Sequence, residues 1–195
     1  MAPVKNGRVR FVPTAIPGCF VIEPELVADP RGFFARIWAK DEMAAAGLTT
    51  SIEQSSISHN ARRGTLRGMH YQIAPYAESK SVRCTSGGIY DVVLDLRPGP
   101  SFGSWFATEL TSANRTTLYI PEGCAHGFLT LEDDSEVVYQ MSAAYDEASS
   151  RGVRWDDPAF AIGWPTRPQV ISERDAGFAL WPMEGTSSGT HKHRG

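Results

Sequence analysis

Short β-prone runs, with clear apolar–polar alternation over 89–96, dominate the chain from Ser51 onward. They cover residues 52–58, 65–72, 81–85, 89–96, 105–110, 116–120, 125–131 and 136–142. Turn-forming clusters separate them: Arg62-Arg63-Gly64, Gly87-Gly88, Arg97-Pro98-Gly99-Pro100, Ser112-Ala113-Asn114, Pro121-Glu122-Gly123 and Glu132-Asp133-Asp134. Strands this short, punctuated this regularly, predict a β-sandwich or barrel. Gly87-Gly88 reads as a hairpin. The run 89–96 puts Asp91 and Asp95 on one face, as expected of a half-solvated strand. Upstream, residues 19–23 read as the first strand and residues 1–10 as a polar, basic arm. Pro30 and Gly32 mark a turn before an extended run over 33–38. Residues 41–46 are Ala-rich, and Gly47 stands as a helix stop. After Tyr145 the pattern loosens into loops anchored by Trp155 and Trp164. Residues 171–175 can open a short helix, with Ser172 as N-cap and Asp175 three positions on. No internal repeat or linker interrupts residues 1–184, which read as one domain. The Gly/Ser-rich, basic tail from Gly185 to Gly195 is expected to be disordered.

A chain of 195 residues holds one domain with a full core. The formal net charge of -3 gives no reason to expect a nucleic-acid or membrane partner. No apolar run approaches the roughly 20 residues of a membrane span. Cys19, Cys84 and Cys124 are odd in number, scattered and without CxxC spacing. Neither a disulfide framework nor a zinc site is indicated, and a reducing, cytoplasmic setting fits.

Leu66-Arg67-Gly68-Met69-His70-Tyr71-Gln72 is the stretch richest in candidate chemistry. In an extended chain His70 and Gln72 share one face. Arg67, Met69 and Tyr71 take the other, unless a bulge at Gly68 re-aims Arg67. An isolated His is more often a hydrogen-bonded core residue than a base. Its company changes that reading: Lys80 opens the next strand, His126 and Tyr139 sit on later ones, and Asp175 lies in a late loop. A metal-binding cupin would present His-x-His, a Glu and a later His. Here Tyr71 and Gln72 follow His70, so His126 completes only two ligands where iron or zinc wants three or more. His191 and His193 lie in the tail, which offers no preformed geometry. No Gly-x-Ser-x-Gly elbow and no phosphate loop is present. Metal-free acid–base chemistry fits best. His70 is poised as a base near neutral pH, and Asp175 can hold its tautomer. Lys80 and Arg67 can stabilise an enolate oxygen or a diphosphate. Tyr139 can return a proton from the opposite face. A base and an acid on opposite faces of a carbon α to a carbonyl make an epimerase. Spacing alone leaves open whether these groups meet.

The chain resembles the dTDP-4-dehydrorhamnose 3,5-epimerase family over roughly residues 13–175. The likeness runs through Ile22-Glu23-Pro24, Asp29-Pro30-Arg31-Gly32-Phe33-Phe34, the 66–72 stretch and Lys80-Ser81-Val82-Arg83. It continues through residues 91–97, Tyr119-Ile120-Pro121-Glu122-Gly123, Ala125-His126-Gly127-Phe128, Trp155-Asp156-Asp157-Pro158 and Ser172-Glu173-Arg174-Asp175. The resemblance implies a mostly β, cupin-like jelly-roll barrel with a few short peripheral helices. It implies a homodimer with shared sites and no metal or other cofactor. It makes His70 the base oriented by Asp175, Tyr139 the acid, and Lys80 the partner of the C4 oxygen. Arg67 and the other subunit's copy of Arg31 would hold the diphosphate, and Gln54 would help place the nucleotide. Tyr145 and Phe34 would flank the base, and His126 would stand behind. Two positions depart from the family: Arg36 replaces a frequent Glu and Ser56 a frequent Asn. Both bear on the nucleobase, because a guanidinium has donors and no acceptor and suits a base such as cytosine. Cys124 stands for a usual Phe. The expected activity is epimerisation of a nucleoside-diphosphate 4-keto-6-deoxyhexose, with dTDP-4-dehydro-6-deoxy-D-glucose at C3 and C5 foremost. Epimerisation at C3 alone, another nucleotide, and a non-catalytic sugar-nucleotide-binding barrel are the alternatives, with a metal-dependent oxygenase more remote.

Overall fold

The structure, a computed structural model, describes residues 7–182. The expected tail over 185–195 lies outside the described residues. The described residues form fourteen strands and two short helices. The strands are β1 Val9–Pro13, β2 Phe20–Pro24, β3 Leu26–Asp29, β4 Gly32–Ala35, β5 Gln54–Asn60, β6 Thr65–Gln72 and β7 Lys80–Ser86. They continue with β8 Gly88–Asp95, β9 Trp105–Thr111, β10 Thr117–Ile120, β11 Cys124–Thr130, β12 Ser135–Met141, β13 Ser150–Gly152 and β14 Val170–Ile171. The helices are α1 Lys40–Ala45 and α2 Glu173–Ala176. One sheet runs β1-β2-β10-β7-β12-β5, and the other β13-β6-β11-β8-β9 with β14 beside β6. β3 and β4 form a separate hairpin. The fold is mostly β, two packed sheets as the spacing of the runs predicts, and it is the jelly roll that the resemblance implies.

Each inward row of side chains follows from the period of two. Val82 and Cys84 of β7, Ile89 and Val93 of β8, Leu118 and Ile120 of β10, Phe128 of β11 and Val137 of β12 interlock between the sheets. Full burial of each such side chain is worth about 1.5–3 kcal/mol. A second cluster covers the outer face of the β8–β11 sheet: Met69, Val92, Leu94 and Ala125 pack under Val153, Phe160, Trp164 and Trp181. A third sets Met43 of α1 against Ile22 and Tyr119.

Four features differ from the sequence reading. The arm expected over residues 1–10 gives way at Val9 to a strand: Val9–Pro13 pairs antiparallel with β2, and Val9 and Phe11 pack near Met43. Gly87-Gly88 is not a hairpin. β7 pairs with β10 and β12 while β8 pairs with β9 and β11, so this turn passes the chain between sheets. A Cβ at Gly87 would come within 2.5 Å of Ser135 Oγ, so the crossover needs glycine. Asp91 and Asp95 are fully buried. The loop carrying Phe160 and Trp164 covers the outer face of β8, so neither face of that strand is solvated. Finally, β13 and β14 arise in the stretch read as loops.

The bulge admitted at Gly68 is present. His126 stands opposite His70 and Phe128 opposite Arg67, so Gly68 and Met69 together face Gly127. The extra residue turns Arg67 onto the face of His70. Met69, displaced from β11, exchanges backbone hydrogen bonds with Val153 at 3.2 and 3.0 Å. A Cβ on Gly68 would lie 2.4 Å from the Gly127 Cα, and its φ is +133°. Gly68→Ala is therefore expected to cost about 3 kcal/mol, since both the clash and the backbone conformation oppose it. Urea unfolding checks this, and a loss below about 1 kcal/mol would mean that the two strands separate freely.

Candidate active site

A cavity of about 680 Å³ opens between the sheets, lined from both walls. β5 offers Gln54, Ser56 and Ser58, half-buried in alternation with exposed Ser55, Ile57 and His59. β6 offers Arg67 and His70, β7 Lys80, β11 His126 and β12 Tyr139. Tyr145 stands exposed in a turn at its edge, and Asp175 closes one side from α2.

His70 Nε2 is 2.8 Å from Asp175 Oδ1. A carboxylate only accepts, so Nε2 carries the hydrogen, and in the neutral imidazole Nδ1 holds the free lone pair. Asp175 Oδ2 accepts the Gly68 N–H at 3.0 Å. The carboxylate arrives there because β14 runs parallel to β6 and leads into α2. Ser172 caps that helix, its Oγ accepting the Asp175 N–H at 3.1 Å, as the capping pattern predicts. Burial alone would raise the Asp175 pKa. The His70 hydrogen bond and charge, with the Gly68 N–H, outweigh it, and the carboxyl lies below its ordinary range. Phe178 sets its ring edge-on to His70 at 6.0 Å between centroids.

Tyr139 faces this pair from the other sheet. Its hydroxyl lies 3.0 Å from Ser58 Oγ. Burial, first of all, pushes its pKa far up; Ser58 and Arg67 pull the other way and lose. The phenol therefore keeps its proton at neutral pH. Lys80 Nζ contacts Glu78 Oε1 at 2.9 Å, with both side chains largely enclosed. His126 Nε2 is 2.6 Å from Asp91 Oδ1, and its ring meets Tyr139 at 6.3 Å and 72°. Burial holds the Asp91 carboxyl above its usual range, and Asp91 Oδ2 has no hydrogen-bond partner. Gln54 Oε1 accepts the Tyr145 N–H at 3.1 Å, and Gln54 Nε2 donates to Ser56 Oγ at 3.1 Å.

Arg31, Phe34 and Arg36 do not line this cavity. Arg31 sits at the tip of the β3–β4 hairpin, fully exposed and paired with Asp29 at 2.5 Å. Phe34 is 52% exposed on the same hairpin. Arg36 Nη1 lies 3.1 Å from Glu42 Oε1 of α1, pairing one edge of its guanidinium. Five lining or supporting residues escaped the sequence reading of the site: Ser58, Asn60, Glu78, Asp91 and Arg174. Ser58 and Asn60 continue the period-two row of Gln54 and Ser56, and Glu78 lies two residues before Lys80. That alternation was the available signal. Gln72 belongs with them: its Oε1 accepts the Asp146 N–H at 2.7 Å, and its Nε2 donates to Glu78 Oε2 at 2.9 Å and Ala144 O at 3.1 Å. Among the described residues, no group of three or more His, Cys, Asp or Glu could hold a metal.

A jelly roll with an imidazole–carboxylate pair facing a buried phenol and an ammonium defines a protein built for proton transfer on a carbonyl substrate. The sequence profile of dTDP-4-dehydrorhamnose 3,5-epimerase matches residues 13–182, and the chain belongs to that family of isomerases. The dTDP-4-dehydrorhamnose 3,5-epimerase of Sinorhizobium fredii is 40% identical over 182 residues, 90% of this chain and 91% of its own. The dTDP-4-dehydrorhamnose 3-epimerase of Streptomyces niveus is 39% identical over 169 residues, 86% of this chain and 81% of its own. The crystal structure of the Bacillus anthracis enzyme with TDP and pyrophosphate bound superposes with a TM-score of 0.85 at 36% identity, covering 89% of this chain and all of that one.

The lowered pKa of Asp175 makes a stability prediction. The unfolded carboxyl titrates near about 3.9, above the folded value, so the native bonds of Asp175 contribute fully above about pH 4. That contribution is lost as the pH falls through the lowered folded value. Asp175→Asn is expected to be less stable than wild type near neutral pH and to converge on it in acid. Urea titrations from about pH 7 to about pH 2 check this, and a gap that stays constant with pH would contradict the assignment.

Proposed function

We propose that this epimerase acts on dTDP-4-dehydro-6-deoxy-D-glucose, inverting C3 and C5. The placement of His70 with Asp175 on one wall and Tyr139 on the other is the observation that carries the reading. His70 Nδ1 takes the proton α to the C4 ketone. The C–H bond electrons become an enolate, whose oxygen faces the Lys80 ammonium. Tyr139 then gives its phenolic proton to the opposite face of the same carbon. Asp175 stabilises the imidazolium formed on His70. Arg67 serves the diphosphate. A protein that only binds sugar nucleotides needs no such acid and base pair. The thymidine assignment is supported by the TDP bound to the Bacillus anthracis relative. Inversion at C3 alone is the second reading, and the Streptomyces niveus 3-epimerase at 39% identity favours it. The three described cysteines are free and buried, which supports a cytoplasmic location.

The proposal includes a homodimer with shared sites. The β3–β4 hairpin leaves Leu26, Phe33 and Phe34 exposed and carries Arg31 away from its own cavity. A second copy would cover the apolar residues and receive Arg31 and Phe34 beside its diphosphate and nucleobase.

Incubation with the keto sugar in deuterated water, followed by proton NMR, should show deuterium entering C3 and C5 with inversion. Inversion at C3 alone would establish the second reading, and no exchange would remove the enzymatic one. In His70→Ala, exchange should fall by about 10²–10⁴ at every carbon. Retention of a tenth of wild-type turnover would exclude His70 as the base. For the shared site, inactive Arg31→Ala and His70→Ala subunits should regain activity when mixed, because one cavity of the heterodimer receives both intact residues. Silence despite demonstrated subunit exchange would show that each chain builds its own site.

A further inference from the structure

We propose that Ser58 is a positioning residue that aims the proton of Tyr139 into the cavity and stabilises the tyrosinate left behind. The inference rests on the acid role proposed above for Tyr139, and its evidence is the direction of a hydrogen-bond chain. Arg67 Nε donates to Asn60 Oδ1 at 2.7 Å. Asn60 Nδ2 donates to the Ser135 carbonyl at 3.1 Å. Arginine cannot accept and a carbonyl cannot donate, so these two neighbours fix which end of the Asn60 amide is oxygen. The amide N–H group therefore also faces Ser58 Oγ, at a long 3.5 Å. A serine hydroxyl accepts through two lone pairs but donates once. Among the described contacts the acceptor within reach of that one hydrogen is the Tyr139 oxygen 3.0 Å away, and in the proposed arrangement it points there. Tyr139 is then the acceptor in that bond, and its hydrogen is left for the cavity.

The reverse arrangement would waste the acid. If Tyr139 donated to Ser58, the proton needed at carbon would point into the wall. In the proposed direction the Tyr139 O–H bond breaks as the new C–H bond forms, and the enolate charge passes to the phenolate oxygen. The Ser58 O–H already points at that oxygen. Hydrogen bonds to a charged acceptor are stronger than those between neutral groups, so the bond tightens as the charge arrives. Burial makes a tyrosinate costly here, and Ser58 and Arg67 are the groups that oppose that cost. Arg67 is thus tied to the acid through Asn60 and Ser58 as well as facing the cavity.

Two rates separate this role from simple support of the fold. Abstraction by His70 followed by return from the same imidazolium exchanges the α-proton with solvent and keeps configuration. Only delivery from Tyr139 inverts it. In Ser58→Ala, inversion should fall by about ten- to a hundredfold, while exchange with retention persists, so the ratio of exchange to inversion rises. Ser58→Thr, which keeps the hydroxyl, should restore inversion. Ser58→Cys keeps the size with a weaker donor and should raise the ratio in a folded chain if the alanine variant misfolds. Equal loss of both rates, or unchanged inversion in Ser58→Ala and Ser58→Cys, would overturn the proposal. Tyr139→Phe is the companion measurement. If it still inverts, the acid assignment fails and this inference with it. If it only exchanges while the Ser58 variants behave as wild type, Ser58 alone is wrong.

Discussion

The close passage of β6 against β11 at Gly68 and Gly127 is the constraint on which the site depends. A Cβ on Gly127 would lie 2.7 Å from Met69 Sδ and 2.9 Å from the Arg67 carbonyl, so neither position tolerates a side chain. The bulge made there has two consequences at once. It turns Arg67 and His70, three residues apart, onto one face of a strand where a regular pleat would separate them. It also leaves the Gly68 N–H out of the β11 ladder, where it bonds Asp175. One local irregularity therefore supplies the cation, orients the imidazole and helps ionise the carboxylate that backs it.

Two imidazole–carboxylate pairs present their histidines to the cavity, and their surroundings give them opposite tendencies. Asp175 accepts on both oxygens, from His70 and from the Gly68 backbone. Those bonds outweigh the cost of burial and keep it charged. Asp91 is wholly enclosed, with one oxygen bonded to His126 and the other bonded to nothing. There burial wins and the carboxyl is harder to ionise. A difference in donors thus decides which carboxylate can stabilise a positive charge arriving on its histidine. Asp175 can, with His70 half-open to the cavity. Asp91 cannot do so as readily, and His126 at 5% exposure stands as part of the wall behind Tyr139.

Much of this was legible in the chain because a β-sandwich writes its faces with period two. β5 to β12 follow the predicted runs within two residues at the start of each, and α1 ends before Gly47 as its composition predicts. The failures came where neighbours distant in sequence decide. Asp91 and Asp95 alternate like a solvated face, yet the aromatic loop at Phe160 and Trp164 buries the far side of β8. Gly87-Gly88 has hairpin chemistry, but its flanking strands find partners elsewhere. Val9 and Arg10 end a polar, basic stretch over 1–10, yet they open a strand once β2 supplies its ladder. In the site, types with obvious chemistry stood out: His70, Lys80, Tyr139, Asp175. Ser58 and Asn60 did not, since serine and asparagine are common on any strand. Their part lies in the direction of a hydrogen-bond chain, which composition does not carry. Arg31, Phe34 and Arg36 lie off the cavity of their own chain, so their place in the site rests on the resemblance and on the proposed dimer.

The two-sheet architecture bears directly on opposite-face chemistry. Packed sheets stand about 10 Å apart, so side chains reaching inward from both walls leave a slot the thickness of a sugar ring. His70 reaches from β6 and Tyr139 from β12, strands of different sheets. Neither wall can close on the other without displacing the core of Val82, Phe128 and Val137 that holds them apart. Lys80 sits opposite Met141 on the Tyr139 wall, with Glu78 holding its ammonium. A planar enolate lying in that slot would meet the base on one side and the acid on the other, with no motion of the protein between the two proton transfers. A single helix or a single sheet could bear the same residues but would set them on one side of the substrate.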